Sequence, residues 1–357
     1  VVHELQRKKF RTVVISSSQH KQLLKPFLRM LDVSLDFDFR IMKENQGPND
    51  VCSRVLAKLD RILEIEKPDM ILVQGDTTTT LAGALAGFNR KIPVGHVEAG
   101  LRSGNRMSPF PEEMNRRLVS QIAAFHFAAT ENNRSNLLAE GIAAGKIIVT
   151  GNPVVDSLHA ISRRLEPSRK ISRIILQSAG KKPILLTTHR RESFGDAMSG
   201  NLKVLRDFVE KREDVCLFFP VHPNPNVRKA TEEILAGTDR IYLLEPLNYH
   251  DFIVLMKSAW LIVSDSGGVQ EEAPSLGKPL LILRENTERP EAIDTGVARL
   301  VGSDPGTLKR MLEENYLSEA WTRSVKEVGN PFGDGKSAAR IVRVIEENFG
   351  IKAQRAN

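Results

Sequence analysis

The sequence predicts an α/β protein made of two doubly wound, Rossmann-like domains facing each other across a cleft. Three observations lead there. Short β-branched runs alternate with amphipathic helical stretches, the pattern of parallel strands wrapped by helices. One polar, basic stretch, 163–182, interrupts the alternation and divides the strands into two sets. A chain of 357 residues also has the length of about two ordinary domains.

Taken in order, Val1 to Lys9 reads as the end of a helix, followed at once by a strand at 11–16. A doubly wound domain opens with a strand and a loop before its first helix, so that strand is expected upstream of Val1. Leu35, Phe37 and Phe39 alternate with polar positions, which makes an edge strand a better reading of Asp36-Phe37-Asp38 than a metal-binding pair of aspartates. Strands are then expected at 70–74, 92–97, 125–129 and 147–150, with helices at 50–66 and 79–89 among them. Beyond the basic stretch, strands are expected at 183–187, 215–220, 240–244, 260–264, 279–283 and 298–301. A last helix, 336–348, follows the Gly333-Asp334-Gly335 turn. The domains expected are 1–165, 166–335, and a C-terminal segment 336–357 that packs back toward the first.

Composition excludes several classes. Hydrophobic residues make up 41% and charged residues 27%, as in a folded globular chain rather than a disordered or disulfide-stapled one. The longest apolar runs, such as 259–263, are far short of the roughly 20 residues that cross a bilayer. No stretch has the order of a signal peptide, so a cytoplasmic protein is expected, with no membrane partner. Cys52 and Cys216 stand alone in apolar settings and read as core thiols. Six of the seven net positive charges fall within 163–182, where Glu166 is the one acid. Without aromatic residues interleaved to stack bases, that reads as a solvated connector and not a nucleic-acid surface. No His/Cys cluster has zinc spacing, and neither a P-loop nor a G-x-G-x-x-G follows a strand, so no metal and no cofactor are expected.

In doubly wound sheets ligands bind beyond the carboxyl ends of the strands, and polar residues gather there. The 70–74 strand runs into Gly75-Asp76 and four threonines; the alternative role for Asp76 is to cap the following helix. The next strand ends in Glu98, an acid flanked by glycines; a charge there is costly unless paired or functional. Glu112 and Glu113 follow Pro111 in a first helical turn, where the helix dipole favours carboxylates, and Arg116 and Arg117 stand four residues on, spaced to pair with one acid each. Carboxylates opening on one cleft push one another's pKa upward and suit acid/base work. In the second half, His189 with Arg190 and Arg191 closes one strand, His222 sits in the proline-rich turn 220–225, and a strand runs into Ser266-Gly267-Gly268 at a helix start, where backbone N–H groups bind phosphate. Glu272, one turn later, is placed for ribose hydroxyls, and Arg289 for a phosphate.

As an ordered set these segments resemble the non-hydrolysing UDP-N-acetylglucosamine 2-epimerase family. The motifs are Gly75-Asp76-Thr77-Thr78-Thr79-Thr80, His96-Val97-Glu98-Ala99-Gly100-Leu101-Arg102, Pro111-Glu112-Glu113, Thr150-Gly151-Asn152-Pro153, the His189 to Gly195 run, Pro220 to Pro225, Asp265 to Pro279 and Thr287 to Glu291. The resemblance runs from about Thr12 to Asn348. It implies a GT-B-like fold, a homodimer, and conversion of UDP-GlcNAc to UDP-ManNAc, a precursor for surface polysaccharide, by elimination and re-addition of UDP. It places Asp76, Glu98, Glu112 and His189 at catalytic positions, with Arg116 alongside. Ser266, Gly267, Gly268, Glu272 and Arg289 take positions that hold UDP, with Phe252 near the base. Gln19, Gln22, Arg54, Arg190 and His222 match a second, activating UDP-GlcNAc site of bacterial members. The family opens with a strand and a Gly-Thr-Arg-Pro-Glu loop ending in a lysine, and the resemblance places them upstream of Val1. The alternatives are the hydrolysing relative, which releases free ManNAc and UDP, a GT-B glycosyltransferase, and an inactive UDP-sugar-binding sensor.

Overall fold

The computed structural model describes residues 1–18, 21–43, 46–163, 166–188 and 196–350, without the side chains of 21–25. The chain divides into two compact units, Val1–Ser157 with Phe332–Asn357, and Leu158–Pro331.

The first unit begins with α1 (Val2–Arg7), β1 (Ile15–Ser16), α2 (Lys21–Met30) and β2 (Phe37–Asp38). It continues with α3 (Pro48–Glu66), β3 (Ile71–Gln74), α4 (Thr78–Asn89), β4 (Val94–Ala99), α5 (Glu112–Ile122), β5 (Phe125–Ala128), α6 (Glu131–Ala139) and β6 (Ile147–Val149). Strands β3-β4-β5-β6 form a parallel sheet in that order, while β1 and β2 pair in parallel as a separate ribbon. The strand expected at 11–16 thus shortens to two residues, because the N–H of Val14 is taken by the Asp36 carboxylate, 2.7 Å away, in place of a ladder partner. Asp38 likewise accepts from Ser18 Oγ, so Asp36 and Asp38 serve local hydrogen bonds.

Helix α7 (Pro153–Ser162) crosses the boundary between the units. The second unit then has α8 (Arg169–Gln177), β7 (Lys182–Thr187), α9 (Asp196–Glu210), β8 (Val215–Pro220), α10 (Pro225–Leu235), β9 (Ile241–Leu244), α11 (Tyr249–Ser258) and β10 (Leu261–Ser264). After them come α12 (Gly267–Glu272), β11 (Leu280–Ile282), α13 (Glu291–Asp294), β12 (Ala298–Leu300), α14 (Pro305–Ser318) and α15 (Ala320–Val325). Its parallel sheet has the order β12-β11-β10-β7-β8-β9. Successive strands leave β7 in one direction and, from β10, in the other. The order therefore reverses between β7 and β10, where ligands sit in such sheets. The central strands β7, β8 and β10 are almost wholly apolar and buried, as strands covered on both faces must be.

The basic stretch read as a solvated connector is in part a helix. Ile171 and Ile174 of α8 are buried, three residues apart on one face, and Ser168 caps the helix by accepting from the Ile171 N–H. The basic side chains Arg169, Lys170 and Arg173 take the exposed face.

The last helix, α16 (Ser337–Phe349), belongs to the first unit. It lays Ile341, Val342 and Ile345 against Val97 of β4 and Phe127 of β5. Each such side chain contributes about 1.5–3 kcal/mol when fully buried. Its own N-cap, Lys336, offers no side-chain bond. Asp156 of α7 supplies it instead, accepting from the N–H of Ser337 at 3.1 Å and of Ala338 at 2.8 Å.

Candidate functional site

In the first unit the candidate residues gather where β3 and β4 end. Gly75 turns the chain out of β3 with φ +75°, a conformation that glycine adopts without a Cβ penalty. Three consecutive carbonyls at this turn each accept from a side chain: Gln74 from Thr80 Oγ1 at 2.7 Å, Gly75 from His96 Nε2 at 2.8 Å, and Asp76 from Asn115 Nδ2 at 2.8 Å. The turn is therefore fixed from α4, from β4 and from α5. Asp76 is not the helix cap; Thr77 is, accepting from the Thr80 N–H.

The Asp76 carboxylate meets Arg116 of α5. Nε and Nη2 of the guanidinium both donate to Oδ2, at 3.0 and 2.6 Å, and Oδ1 accepts no hydrogen bond among the described residues. Of the two expected pairs, Arg117 with Glu113 forms and Arg116 with Glu112 does not. Glu113, fully buried, takes both arginines, Arg116 Nη1 at 3.4 Å and Arg117 Nε at 3.2 Å, and also the Ser103 N–H at 2.9 Å. Helical spacing allows both the i,i+3 and i,i+4 partner, and Glu113 points into the protein, where a lone carboxylate would be costly. Glu112 is left half-buried, with no hydrogen bond or ion pair to the described residues.

Glu98 has a positive φ of 67°, which costs roughly 1–2 kcal/mol in a non-glycine residue. It lies where the β4–β5 register shifts between Val97 and Ala99, a bulge that re-aims its side chain away from the strand's alternation. The side chain comes beside the Gly75 turn: a Cβ on Gly75 would stand 3.8 Å from Glu98 Oε2. Strain of this kind is held where the surroundings over-determine the backbone, commonly at functional sites. Three carboxylates, Asp76, Glu98 and Glu112, and one guanidinium thus belong to the strand ends and the helix start of one sheet.

In the second unit the ends of β7 and β10 meet at the point where strand order reverses. Thr187 and Ser264 are in register and share a hydroxyl–hydroxyl bond of 2.6 Å; Thr188 Oγ1 donates to Asp265 Oδ2 at 2.8 Å. Ser266 is half-buried, Gly267 buried and Gly268 exposed. Gly267 is required by close approach: a Cβ there would lie 2.8 Å from Arg289 Nη1. Arg289 itself is buried, its Nε donating to Glu271 Oε1 and its Nη1 to Glu288 Oε1, each at 2.6 Å. Arg284 completes this buried cluster, 3.0 Å from Glu288 Oε2. Glu272 is also buried and accepts from the Tyr249 hydroxyl. Burial pushes its carboxyl up to about 7; the Tyr249 bond works against that shift, and the neighbouring Glu271 charge adds to it. Phe252, half-buried, lies one turn along α11 from Tyr249.

Of the residues expected at a second ligand site, Gln19 and Arg190 lie outside the described residues, as does the catalytic candidate His189, and nothing is described of the Gln22 side chain. Arg54 donates to the Ile41 carbonyl at 3.1 Å and to Gln46 Oε1 at 2.9 Å. His222 is exposed, with its Nδ1 accepting from the Asn224 N–H at 3.2 Å. Among the described residues no group of three or more His, Cys, Asp or Glu side chains could hold a metal ion, and no helix is long and apolar enough to cross a membrane.

Sequence reading missed His96, Asn115 and Asp265 as parts of the site, and read Glu113 as the partner of one arginine where it takes two. For His96 a signal was present, a histidine inside an otherwise apolar strand. For Asn115 and Asp265 none was, because their partners lie 39 and 77 residues away.

A family model described as UDP-N-acetylglucosamine 2-epimerase matches residues 3–346. The UDP-N-acetylglucosamine 2-epimerase of Yersinia pestis is 43% identical over 354 residues, which cover 98% of this chain and 94% of that one. The crystal structure of the Neisseria meningitidis UDP-GlcNAc 2-epimerase bound to UDP-GlcNAc is similar at a TM-score of 0.91 and 40% identity, over 97% of this chain and 95% of that one. The Methanocaldococcus jannaschii UDP-GlcNAc 2-epimerase, in complex with UDP-GlcNAc and UDP, is similar at a TM-score of 0.81 and 34% identity, over 97% and 94% of the two chains.

Proposed function

Since the chain belongs to the UDP-N-acetylglucosamine 2-epimerase family, we propose that it interconverts UDP-GlcNAc and UDP-ManNAc without releasing free sugar. It is an isomerase, with the GT-B-like pair of Rossmann-like domains found in its structural relatives.

The hydrogen on C2 of the sugar has no carbonyl beside it, so its direct removal is difficult. Breaking the C1–O bond first solves this. UDP leaves with the bonding electrons, and the cation developing at C1 acidifies the C2 proton. A carboxylate then takes that proton and a C1–C2 double bond forms. Protonation of C2 on the opposite face and return of UDP to C1 complete the inversion, with no net gain or loss of electrons. Two acid/base groups on opposite faces are needed, each within hydrogen-bond reach of C2. We assign the sugar to Asp76, Glu98, Glu112 and His189 with Arg116, and UDP to Ser266, Gly267, Gly268, Glu272 and Arg289, with Phe252 near the base. Arg289 would oppose the charge growing on the departing diphosphate.

The observation that carries this reading is Asp76 itself, held by a buried arginine through one oxygen, with the other taking no hydrogen bond from the described residues, next to a strained Glu98. The homodimer expected by resemblance belongs to the same proposal, and light scattering at twice the 39.8 kDa chain mass would support it.

The test is incubation with UDP-GlcNAc in heavy water. UDP-ManNAc carrying deuterium at C2 is the expected product. Free ManNAc with UDP would select hydrolysis, transfer to an acceptor would select a glycosyltransferase, and tight UDP binding with neither turnover nor exchange would leave a sensor.

A further inference from the structure

We propose that His96 is a positioning residue for the reaction: a permanently neutral imidazole whose Nε2–H holds the Gly75 carbonyl and thereby aims Asp76 at Arg116. This rests on the functional reading above, and extends it to a residue that does not itself reach the sugar.

His96 is fully buried in the middle of β4, in register with Val73 of β3 and His126 of β5. Side chains in register on neighbouring parallel strands share a face. Val73 packs with Ala84 of α4 and Val119 of α5, so His96 looks toward the two helices that carry Thr80, Asn115 and Arg116. Among the described residues its one hydrogen-bond partner is the Gly75 carbonyl, an acceptor, so Nε2 carries the proton. Nδ1 is buried with no hydrogen-bond partner among the described residues and keeps a bare lone pair. Protonating it would place an uncompensated charge in the core, and burial accordingly pushes the imidazole down to about 4. The ring is therefore a donor of fixed tautomer at any working pH, unsuited to proton transfer and suited to holding a peptide group.

The peptide it holds is the sensitive one. Gly75 joins β3 to Asp76, and glycine leaves its dihedrals the least restrained of any residue. The carbonyls before and after it are bound by Thr80 and Asn115, so without His96 the middle carbonyl of three, half-buried, would lose its side-chain donor. A carbonyl screened from water and left without its donor gains by turning toward another. That rotation turns the Asp76 Cα–Cβ vector and opens the Asp76–Arg116 pair, and a misplacement of about 1 Å is enough to cost roughly 100-fold in rate.

The experiment compares His96→Leu, which keeps the bulk and deletes the donor, with His96→Gln, whose side-chain amide places an N–H near the Nε2 position. Folding is checked by thermal unfolding, and kcat and KM for UDP-GlcNAc are measured beside wild type. We expect kcat of His96→Leu to fall 10- to 100-fold with KM within threefold, and His96→Gln to recover to within about fivefold of wild type. Wild-type kcat in a folded His96→Leu overturns the proposal. So does His96→Gln as slow as His96→Leu, since ring packing would then matter and not the donor. If His96→Leu does not fold, ¹⁵N spectra of the wild-type imidazole decide: the Nδ1–H tautomer, or an imidazolium at pH 6, overturns it. If wild type itself does not turn over, the functional reading fails separately. The Arg116 Nε–H resonance then reports the positioning, and finding it unmoved in His96→Leu or His96→Gln overturns the proposal.

Discussion

Arg116 holds Asp76 through one carboxylate oxygen, with Nε and Nη2 both donating to Oδ2. The same guanidinium reaches Glu113 through Nη1. One arginine, 4% exposed at its side chain, thus ties the end of β3 to the start of α5.

Arg116→Lys is expected to lower kcat by roughly 10- to 100-fold, because an ammonium is a point donor and cannot reproduce the planar fork that spans Asp76 and Glu113. The rate of deuterium entry at C2 in heavy water should fall in step. Unchanged exchange would separate Arg116 from the chemistry.

Glu112→Gln and Glu113→Gln should part company. Glu112 has no partner among the described residues, so its variant should unfold within about 0.5 kcal/mol of wild type while losing 100-fold or more in kcat. Glu113 is fully buried between two arginines and the Ser103 N–H, and neutralising it should cost about 3 kcal/mol in urea unfolding. Equal stability of the two variants would contradict the assignment.

Glu272 makes stability depend on pH in a direction opposite to most carboxylates. Its folded pKa of about 7 lies above the ordinary 4.5 because burial disfavours the charge. Between those values the folded chain binds more protons than the unfolded one, so this group's contribution declines as pH rises from 4.5 to 7. Relative to wild type, Glu272→Gln should therefore gain about 3 kcal/mol in unfolding free energy between pH 4.5 and pH 8. Tyr249→Phe removes the bond that favours the carboxylate and should steepen the wild-type decline.

Asp156→Ala should cost about 1 kcal/mol in unfolding free energy by exposing the first N–H groups of α16, and leave kcat unchanged, since Asp156 caps α16 from another helix and is not assigned to the site. Differential unfolding with and without UDP should show no change in nucleotide affinity.

The positions of the strands were open to reading in the sequence because burial on both faces leaves a local mark. Each run expected from 70–74 to 298–301 overlaps a strand of the structure, with ends that differ by up to two residues. The 11–16 run shrank to Ile15–Ser16 because a side chain, Asp36, competed for its N–H, and no local pattern announces such competition. The helix α8 was hidden by its own charge: seven basic residues across 163–182 masked two isoleucines spaced for one face.

The sequence by itself determined which residue types stand at the strand ends: Asp76 after β3, Glu98 at the end of β4, Ser266 to Gly268 after β10. That much follows from chain order, because a parallel sheet delivers every carboxyl end to the same edge. Only the tertiary structure decided their partners. Local spacing offered Arg116 to Glu112, four residues away, but α5 lies across the end of β3 and brings Asp76, 40 residues away, into the fork instead. Helical periodicity sets which side chains share a face. Which carboxylate then receives a cation depends on the angle at which two elements cross and on the cost of leaving a buried charge unpaired, and neither is written in any stretch of neighbouring residues.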